Sequence, residues 1–299
     1  MQQLVYSLKV NMPNTIDLPD SRKIGFSEYG DPDGKPIFYF HGTPGSRLEA
    51  SRFHEVAATH HCRLIGIDRP GMGLSALDPQ RTLLSWAKDV VCLADHLSIK
   101  KFFLMGHSGG APYVAACAYA IPDRIEGAAI ISGMGPFEKP EAQIGLATGQ
   151  KVINRVIRLI PSSANLMMWL TQKMLKNPDK LFQQMVKQLP QPDQIIFNEP
   201  SEKAALIASS IEAFKNGSQG PAQEMRLLLK PWGFNLEAIK IPVHIWYGAQ
   251  DKQAPKSHAE LYAELIPNAQ LKVIDNEGHI SILKNHMNDI LSNLTAMRS

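Results

Sequence analysis

Gly106-His107-Ser108-Gly109-Gly110 follows the apolar run Lys101 to Met105 and precedes the helix-forming run Ala111 to Ala120. A strand that turns at once into a helix throws the side chain at its apex off the sheet edge, in a strained backbone conformation. Side chains on either side of that apex would clash, so glycine is needed at both. Pro112 falls in the first turn of the helix, where its missing N–H costs little. The G-x-S-x-G spacing alone is common, but its position between strand and helix makes Ser108 a candidate nucleophile.

Outward from this turn, short apolar runs alternate with helical patterns. Pro36 to Phe40, Arg63 to Ile67, Ile125 to Ile131, Val243 to Tyr247 and Leu271 to Ile274 read as strands, and Lys23 to Tyr29 as an earlier one paired with Leu4 to Val10. Leu83, Leu84, Ala87, Val90, Val91, Ala94 and Leu97 recur on one helix face. Ser257 is expected to cap a helix running to Ile266, and Ser281 to Met297 to form the last helix. Such alternation predicts an α/β fold with a mostly parallel, doubly wound sheet. From about Gly135 to Gly233 it stops: helical segments and Pro/Gly breaks remain, and a helical insertion is expected there.

A serine hydroxyl needs a base, and the base needs an acid to fix its tautomer. Gly248-Ala249-Gln250-Asp251 places a carboxylate just past one strand, and Glu277-Gly278-His279 an imidazole just past the next. Both fall at carboxyl ends of strands, the edge where open α/β sheets carry their sites. Asp251 could instead serve a turn and His279 a helix cap. Asp275 and Glu277 lie too close to His279 in sequence to orient it from across the sheet. His41-Gly42-Thr43-Pro44-Gly45 ends an earlier strand; Pro44 has no N–H, so the backbone N–H groups of Thr43 and Gly109 are the candidate oxyanion hole. A plain Gly/Pro turn is the alternative.

Composition excludes several classes. The chain of 299 residues is 44% apolar and 20% charged, with 31 Lys+Arg against 28 Asp+Glu. The small basic excess reads as scattered, so no nucleic-acid partner is expected. No window approaches the roughly 18 apolar residues of a membrane span, and the start lacks the pattern of a secretory signal. A cytoplasmic protein with no membrane partner is expected, with Cys62, Cys92 and Cys117 as free buried thiols. Asn216 and Asn293 head glycosylation-type triplets that carry no weight without such a signal. His54, His60 and His61 lack a metal-ligand spacing, and no metal site is expected.

His41-Gly42-Thr43-Pro44-Gly45, Asp68-Arg69-Pro70-Gly71-Met72-Gly73-Leu74-Ser75, Gly106 to Gly110, Gly248 to Asp251 and Gly278-His279 occur in the order that resembles the α/β-hydrolase fold superfamily. The resemblance implies an eight-stranded sheet with an antiparallel second strand and a helical cap after the sixth strand. It divides the chain into core (1–134), cap (135–235) and core (236–299), and implies no cofactor. It also implies acyl transfer to water: a carboxylic ester hydrolase acting on a small-molecule substrate, with Ser108, Asp251 and His279 as catalytic residues. A ligand-sensing protein with slow turnover, and a proline-iminopeptidase-like aminopeptidase, are the alternatives. Against the latter, Thr43 stands where that motif usually has a second Gly. Met134, Met167, Met168, Met174, Met185 and Met225, with Trp169 and Trp232, are expected to line an adaptable apolar pocket or to pack cap helices together. No pattern indicates an oligomeric state.

Overall fold

Strands buried on both faces carry no polar side, and that is how the apolar runs in the middle of the sheet fold, whereas Leu271 to Ile274, at its edge, stays partly exposed. The computed structural model describes residues 14–297. Among them, eight strands form one sheet: β1 (Asn14–Asp17), β2 (Lys23–Gly30), β3 (Lys35–Phe40), β4 (Cys62–Ile67), β5 (Phe102–His107), β6 (Ile125–Ile131), β7 (Val243–Gly248) and β8 (Ala269–Ile274). Their order is β1-β2-β4-β3-β5-β6-β7-β8. β2 runs against both of its neighbours and the remaining pairs are parallel. The partner of β2 on the outer edge is Asn14–Asp17, whereas the expected partner, Leu4 to Val10, lies outside the described residues.

Helices α1 (His54–Thr59), α2 (Leu83–His96) and α3 (Ala111–Ala120) connect the strands up to β6. Between β6 and β7 come α4 (Thr148–Leu159), α5 (Ser163–Met174), α6 (Pro178–Val186), α7 (Gln191–Asn198), α8 (Pro200–Ala213) and α9 (Gln219–Leu228). α10 (Lys256–Leu265) joins β7 to β8, and α11 (Ser281–Asn285) and α12 (Met287–Ala296) follow. Thr82 and Ser85 start α2 with a reciprocal capping box, side chain to backbone in both directions.

The period of two along the strands splits the core by face. Phe38, Phe40 and Leu104 pack with α2, α3 and α10, while Ile37, Tyr39, Phe103 and Met105 pack with α1 and α12. A third cluster, including Phe182, Phe197 and Phe214, fills the space among the helices between β6 and β7.

Two helix boundaries depart from the sequence reading. Ser257 does not cap α10; the helix starts at Lys256 behind Pro255, and the Ser257 hydroxyl donates instead to the Ile144 carbonyl at 2.8 Å. The terminal helix breaks at His286, whose φ of −111° and ψ of 13° leave the helical range. The imidazole there reaches the Glu277 carboxylate at 3.3 Å, a tertiary contact that periodicity cannot reveal.

β5 passes into α3 through a single 3-10 turn, Ser108–Gly110, packed tightly on the end of β3. A Cβ on Gly110 would sit 2.1 Å from the Phe40 carbonyl oxygen, and one on Gly106 2.6 Å from Val114 Cγ2. The first obstacle is backbone and cannot step aside. Gly110→Ala is therefore expected to destabilise the fold by about 1–3 kcal/mol, as overpacking does. Urea denaturation would show it as a lowered midpoint with an unchanged slope.

Candidate active site

Ser108 takes φ +52°, in the left-handed region that side chains rarely adopt. β5, β7 and β8 run parallel in the sheet, so the segments that follow them emerge at one edge. That is why Ser108, Asp251 and His279, far apart in sequence, come to the same side.

The imidazole and carboxylate meet directly. His279 Nδ1 lies 2.7 Å from Asp251 Oδ2, and both side chains are buried. The other oxygen, Asp251 Oδ1, accepts the N–H groups of Gln253 at 2.7 Å and Ala254 at 3.0 Å. Burial by itself would raise the Asp251 pKa, but the imidazole and these donors outweigh it and hold the carboxyl below its usual range. Burial likewise disfavours charge on His279, yet the Asp251 carboxylate leaves its pKa raised above the ordinary 6.5. With Nδ1 engaged by Asp251, Nε2 is the nitrogen left for proton transfer. Glu277 binds Asn285 and His286 instead.

Ser108 and His279 line one cavity of about 180 Å³ with Phe182, Met185, Leu189 and Phe197. Ser108 also lines a second cavity of about 520 Å³, with Met134, Leu146, Ile153, Met168 and Met225. Thr43 and Pro44 belong to both. Four of the expected methionines thus face these spaces. Met174 and Trp169 do not; each is 47% exposed. Met167 packs against the cluster among the helices, and Trp232 against Phe234 and Tyr262.

Thr43 sits against the turn: a Cβ on Gly109 would come within 2.1 Å of Thr43 Oγ1. The N–H of Gly42 is engaged with Glu49 Oε2 at 3.0 Å, and Pro44 has none, so the Thr43 N–H stays a candidate donor in this loop.

Three buried carboxylates that sequence reasoning missed hold these loops. Glu49 accepts Tyr39 Oη at 2.6 Å and Gly42 N, and meets His107 Nδ1 at 2.9 Å. The far nitrogen of His107 faces the His279 carbonyl at 3.1 Å. Burial would raise the Glu49 pKa, but His107, Tyr39 and Arg52 hold it well below the usual carboxylate range. Asp193, on α7, accepts the N–H groups of His279 (2.9 Å), Ile280 (2.8 Å) and Ser281 (2.9 Å), so a helix beyond β6 anchors the histidine loop. Glu224, on α9, accepts Thr43 Oγ1 at 2.5 Å and the Arg69 Nε at 3.0 Å. Arg69 in turn donates to the carbonyls of His41 (2.6 Å) and Gly42 (3.0 Å) and lies over the Tyr113 ring. Arg69 was readable as a loop motif; the three carboxylates carry no local signal.

The clustered histidines serve elsewhere: His54 accepts the Gly30 N–H, His60 meets Asn288 and His61 meets Asp31. Cys62 and Cys117 are buried free thiols as expected, whereas the free thiol Cys92 is only half-buried. Asn216 donates to the Gly73 carbonyl.

The alpha/beta hydrolase fold family model matches residues 35–286. The chain belongs to the alpha/beta hydrolase fold family. Among relatives of this hydrolase-fold chain is the dihydrolipoyllysine-residue acetyltransferase component of the acetoin cleaving system of Pseudomonas putida, 33% identical over 41% of this chain and 33% of that protein. Proline iminopeptidase of Arabidopsis thaliana is 27% identical over 42% of this chain and 33% of that protein. The matched stretch thus spans a third of the length of either relative. A thermophilic esterase from Thermogutta terrifontis shares the fold, with a TM-score of 0.68 and 21% identity over 95% of this chain and 97% of that one.

Burial alone would raise the Glu224 pKa, but Arg69 and Arg81 bring it down to about 2, against an ordinary 4.5. A carboxyl whose folded pKa is depressed stabilises fully above its unfolded pKa and loses that contribution as pH falls toward the folded one. Glu224→Gln leaves Arg69 buried without its counter-charge and is expected to cost about 3–5 kcal/mol at neutral pH. The gap between wild type and variant should close as pH drops from about 4.5 toward 2, which chemical denaturation at a series of pH values would measure.

Proposed function

We propose that this protein is a serine hydrolase that cleaves a carboxylic ester or a related acyl substrate through a Ser108 acyl-enzyme. The observation that carries the reading is the 2.7 Å His279–Asp251 pair, whose imidazole lines the cavity that Ser108 also lines. His279 Nε2 takes the Ser108 hydroxyl proton as Oγ bonds to the acyl carbon, and the carbonyl electron pair moves onto oxygen. The N–H groups of Thr43 and Gly109 hold that oxyanion. Collapse breaks the carbon–oxygen bond to the leaving alcohol, which takes the proton from His279. Water then repeats the sequence on the acyl-enzyme and releases the acid. Asp251 keeps the imidazole in the required tautomer and offsets its transient charge.

The two apolar cavities favour an ester with apolar groups on both sides of the scissile bond. A substrate amine, as an aminopeptidase needs, would call for an uncommitted carboxylate. Among the described residues, the carboxylates lining the cavities are Asp251 and Glu49, held by His279 and by Tyr39, Gly42 and His107. The helices from α4 to α9 act in this reading as the cap that shapes both cavities.

Incubation with a fluorophosphonate probe and a panel of 4-nitrophenyl esters is expected to label Ser108 and to release nitrophenol. Both signals should vanish in Ser108→Ala, and turnover in His279→Ala. No labelling and no turnover would overturn the hydrolase reading in favour of a ligand sensor.

The base must be neutral to accept a proton, so kcat/KM should fall below an apparent pKa that lies above 6.5, because the His279 pKa is raised. Asp251→Asn should move that limb downward and cut kcat by about 10⁴-fold. An unmoved limb would exclude His279 as the base.

A further inference from the structure

The basic excess of this chain is not scattered. Between Glu141 and Asp179 stand five Lys/Arg residues (Lys151, Arg155, Arg158, Lys173 and Lys176) and none of the chain's 28 acidic ones. The rest of the chain therefore holds slightly more acid than base. The basic stretch folds as α4 and α5, joined by Ile160-Pro161-Ser162.

Both helices are apolar on two sides. On α4, Ile157 is buried, and Ile153 and Asn154 line the larger Ser108 cavity. The outer face carries Val152, Val156 and Leu159 at i, i+4, i+7, with Leu159 71% exposed and Ile160 beside it 57% exposed. Lys151, Arg155 and Arg158 repeat the same spacing one residue earlier, about 100° round the helix, so a basic stripe flanks the apolar one. α5 buries Ala164 and Met168 and exposes Leu166, Trp169 and Leu170, with the Lys173 ammonium over the Trp169 ring at 5.3 Å. Arg226 and Lys230 line the groove beside Leu166 and Trp169, which widens the basic rim. Arg158 is engaged by the carbonyls of Phe137 and Leu229. Among the described residues, Lys151, Arg155 and Lys176 have no carboxylate partner.

Exposed apolar side chains edged by unpaired cations form a surface with two complementary needs, and an anionic bilayer meets both. A second copy meets one only, since a two-fold contact through this face would set its cations against themselves. We propose that the α4–α5 helix pair is a docking face for membranes containing anionic lipid, with Trp169, Leu166 and Leu159 entering the interface and the basic stripe held at the headgroups. The absence of an 18-residue apolar window does not oppose this, because a helix lying in the interface needs no span. Docking itself stands apart from the Ser108 reading. Joined to that reading, it names the substrate class: the helices that meet the bilayer also wall the cavity beside Ser108, so esters partitioned into lipid are the natural substrates.

The test is co-sedimentation of the full chain with phosphatidylcholine vesicles, with and without phosphatidylglycerol, together with turnover of a soluble 4-nitrophenyl ester. Binding is expected only to the anionic vesicles, and should weaken as salt rises. Removing two cations in Lys151→Gln/Arg155→Gln should lower partitioning by roughly 25-fold, at about fivefold per charge. Trp169→Ser/Leu170→Ser should lower it too. Both variants should keep wild-type turnover of the soluble ester and wild-type circular dichroism, since neither pair lines the Ser108 cavities. No binding by the wild-type chain, or equal binding with and without phosphatidylglycerol, would overturn the docking face whatever the variants do. So would a dimer in sedimentation velocity that Trp169→Ser dissolves. Vesicle binding without any ester turnover would retain the docking face and remove the hydrolase reading.

Discussion

Everything at the candidate site depends on how little room lies between the Ser108 turn and the end of β3. β5 must stop, expose one side chain and become a helix within three residues, while its backbone presses on the Phe40 carbonyl. That closeness forbids a side chain at Gly110, holds Ser108 at positive φ, and brings Gly109 against Thr43. A looser turn would leave the serine free to rotate and the Thr43 loop without a wall to rest on. Backbone strain of this kind persists only where the surroundings over-determine it. Here α3, buried along Ala111 to Ala118, supplies that constraint.

A sheet edge built from loops has a second difficulty: its backbone amides and carbonyls lie under other helices, where leaving one unpaired is costly. The protein answers with buried charge. Glu49 takes the Gly42 amide, Asp193 takes three consecutive amides from His279 to Ser281, and Arg69 donates to two carbonyls of the His41–Thr43 loop. Charge-assisted bonds of this type are stronger than neutral ones and fix direction as well as distance. The loops are therefore held by side chains other than Ser108, Asp251 and His279. Asp193, and the Glu224 that binds Arg69 and the Thr43 hydroxyl, come from helices between β6 and β7, so displacing those helices would disturb the histidine loop and the Thr43 loop together.

This division explains what could be read from the chain. Strand positions, the turn at Ser108 and the order of Asp251 and His279 follow from local rules: apolar runs of strand length, glycines where backbones nearly touch, polar residues just past strand ends. The strand count and the antiparallel β2 came through the resemblance that those motifs carry, and the sheet order came only with the structure. Glu49, Asp193 and Glu224 were invisible because each acts on a partner distant in sequence, and nothing near Asp193 in α7 marks it as a receptor for the amides of residues 279–281. The same cause misplaced Ser257, whose hydroxyl finds Ile144, and hid the break at His286. Nor could the reading of the insertion, which left pocket lining and helix packing open, divide its residues one by one: Met168 faces the cavity and Trp169, the next residue, is half-exposed. One residue on a helix is about 100° of rotation, and composition has no phase.

That phase gives the helices beyond β6 their physical interest. A helix covering a cavity in water is expected to be polar outside, with its apolar stripe turned inward. α4 and α5 keep the inward stripe and add an outward one, leaving Leu159, Ile160 and Leu166 more than half exposed. Scattered single exposures are ordinary, but two adjoining helices that repeat them beside a run of cations are not. The buried face cannot account for the outer one: Ala164, Ile157 and Met168 would pack equally well with Ser or Gln at 159 and 169. Whatever retains the outer residues acts from outside the folded chain. The cations beside them favour a partner that carries negative charge. It must also gain from apolar side chains that water does not reward.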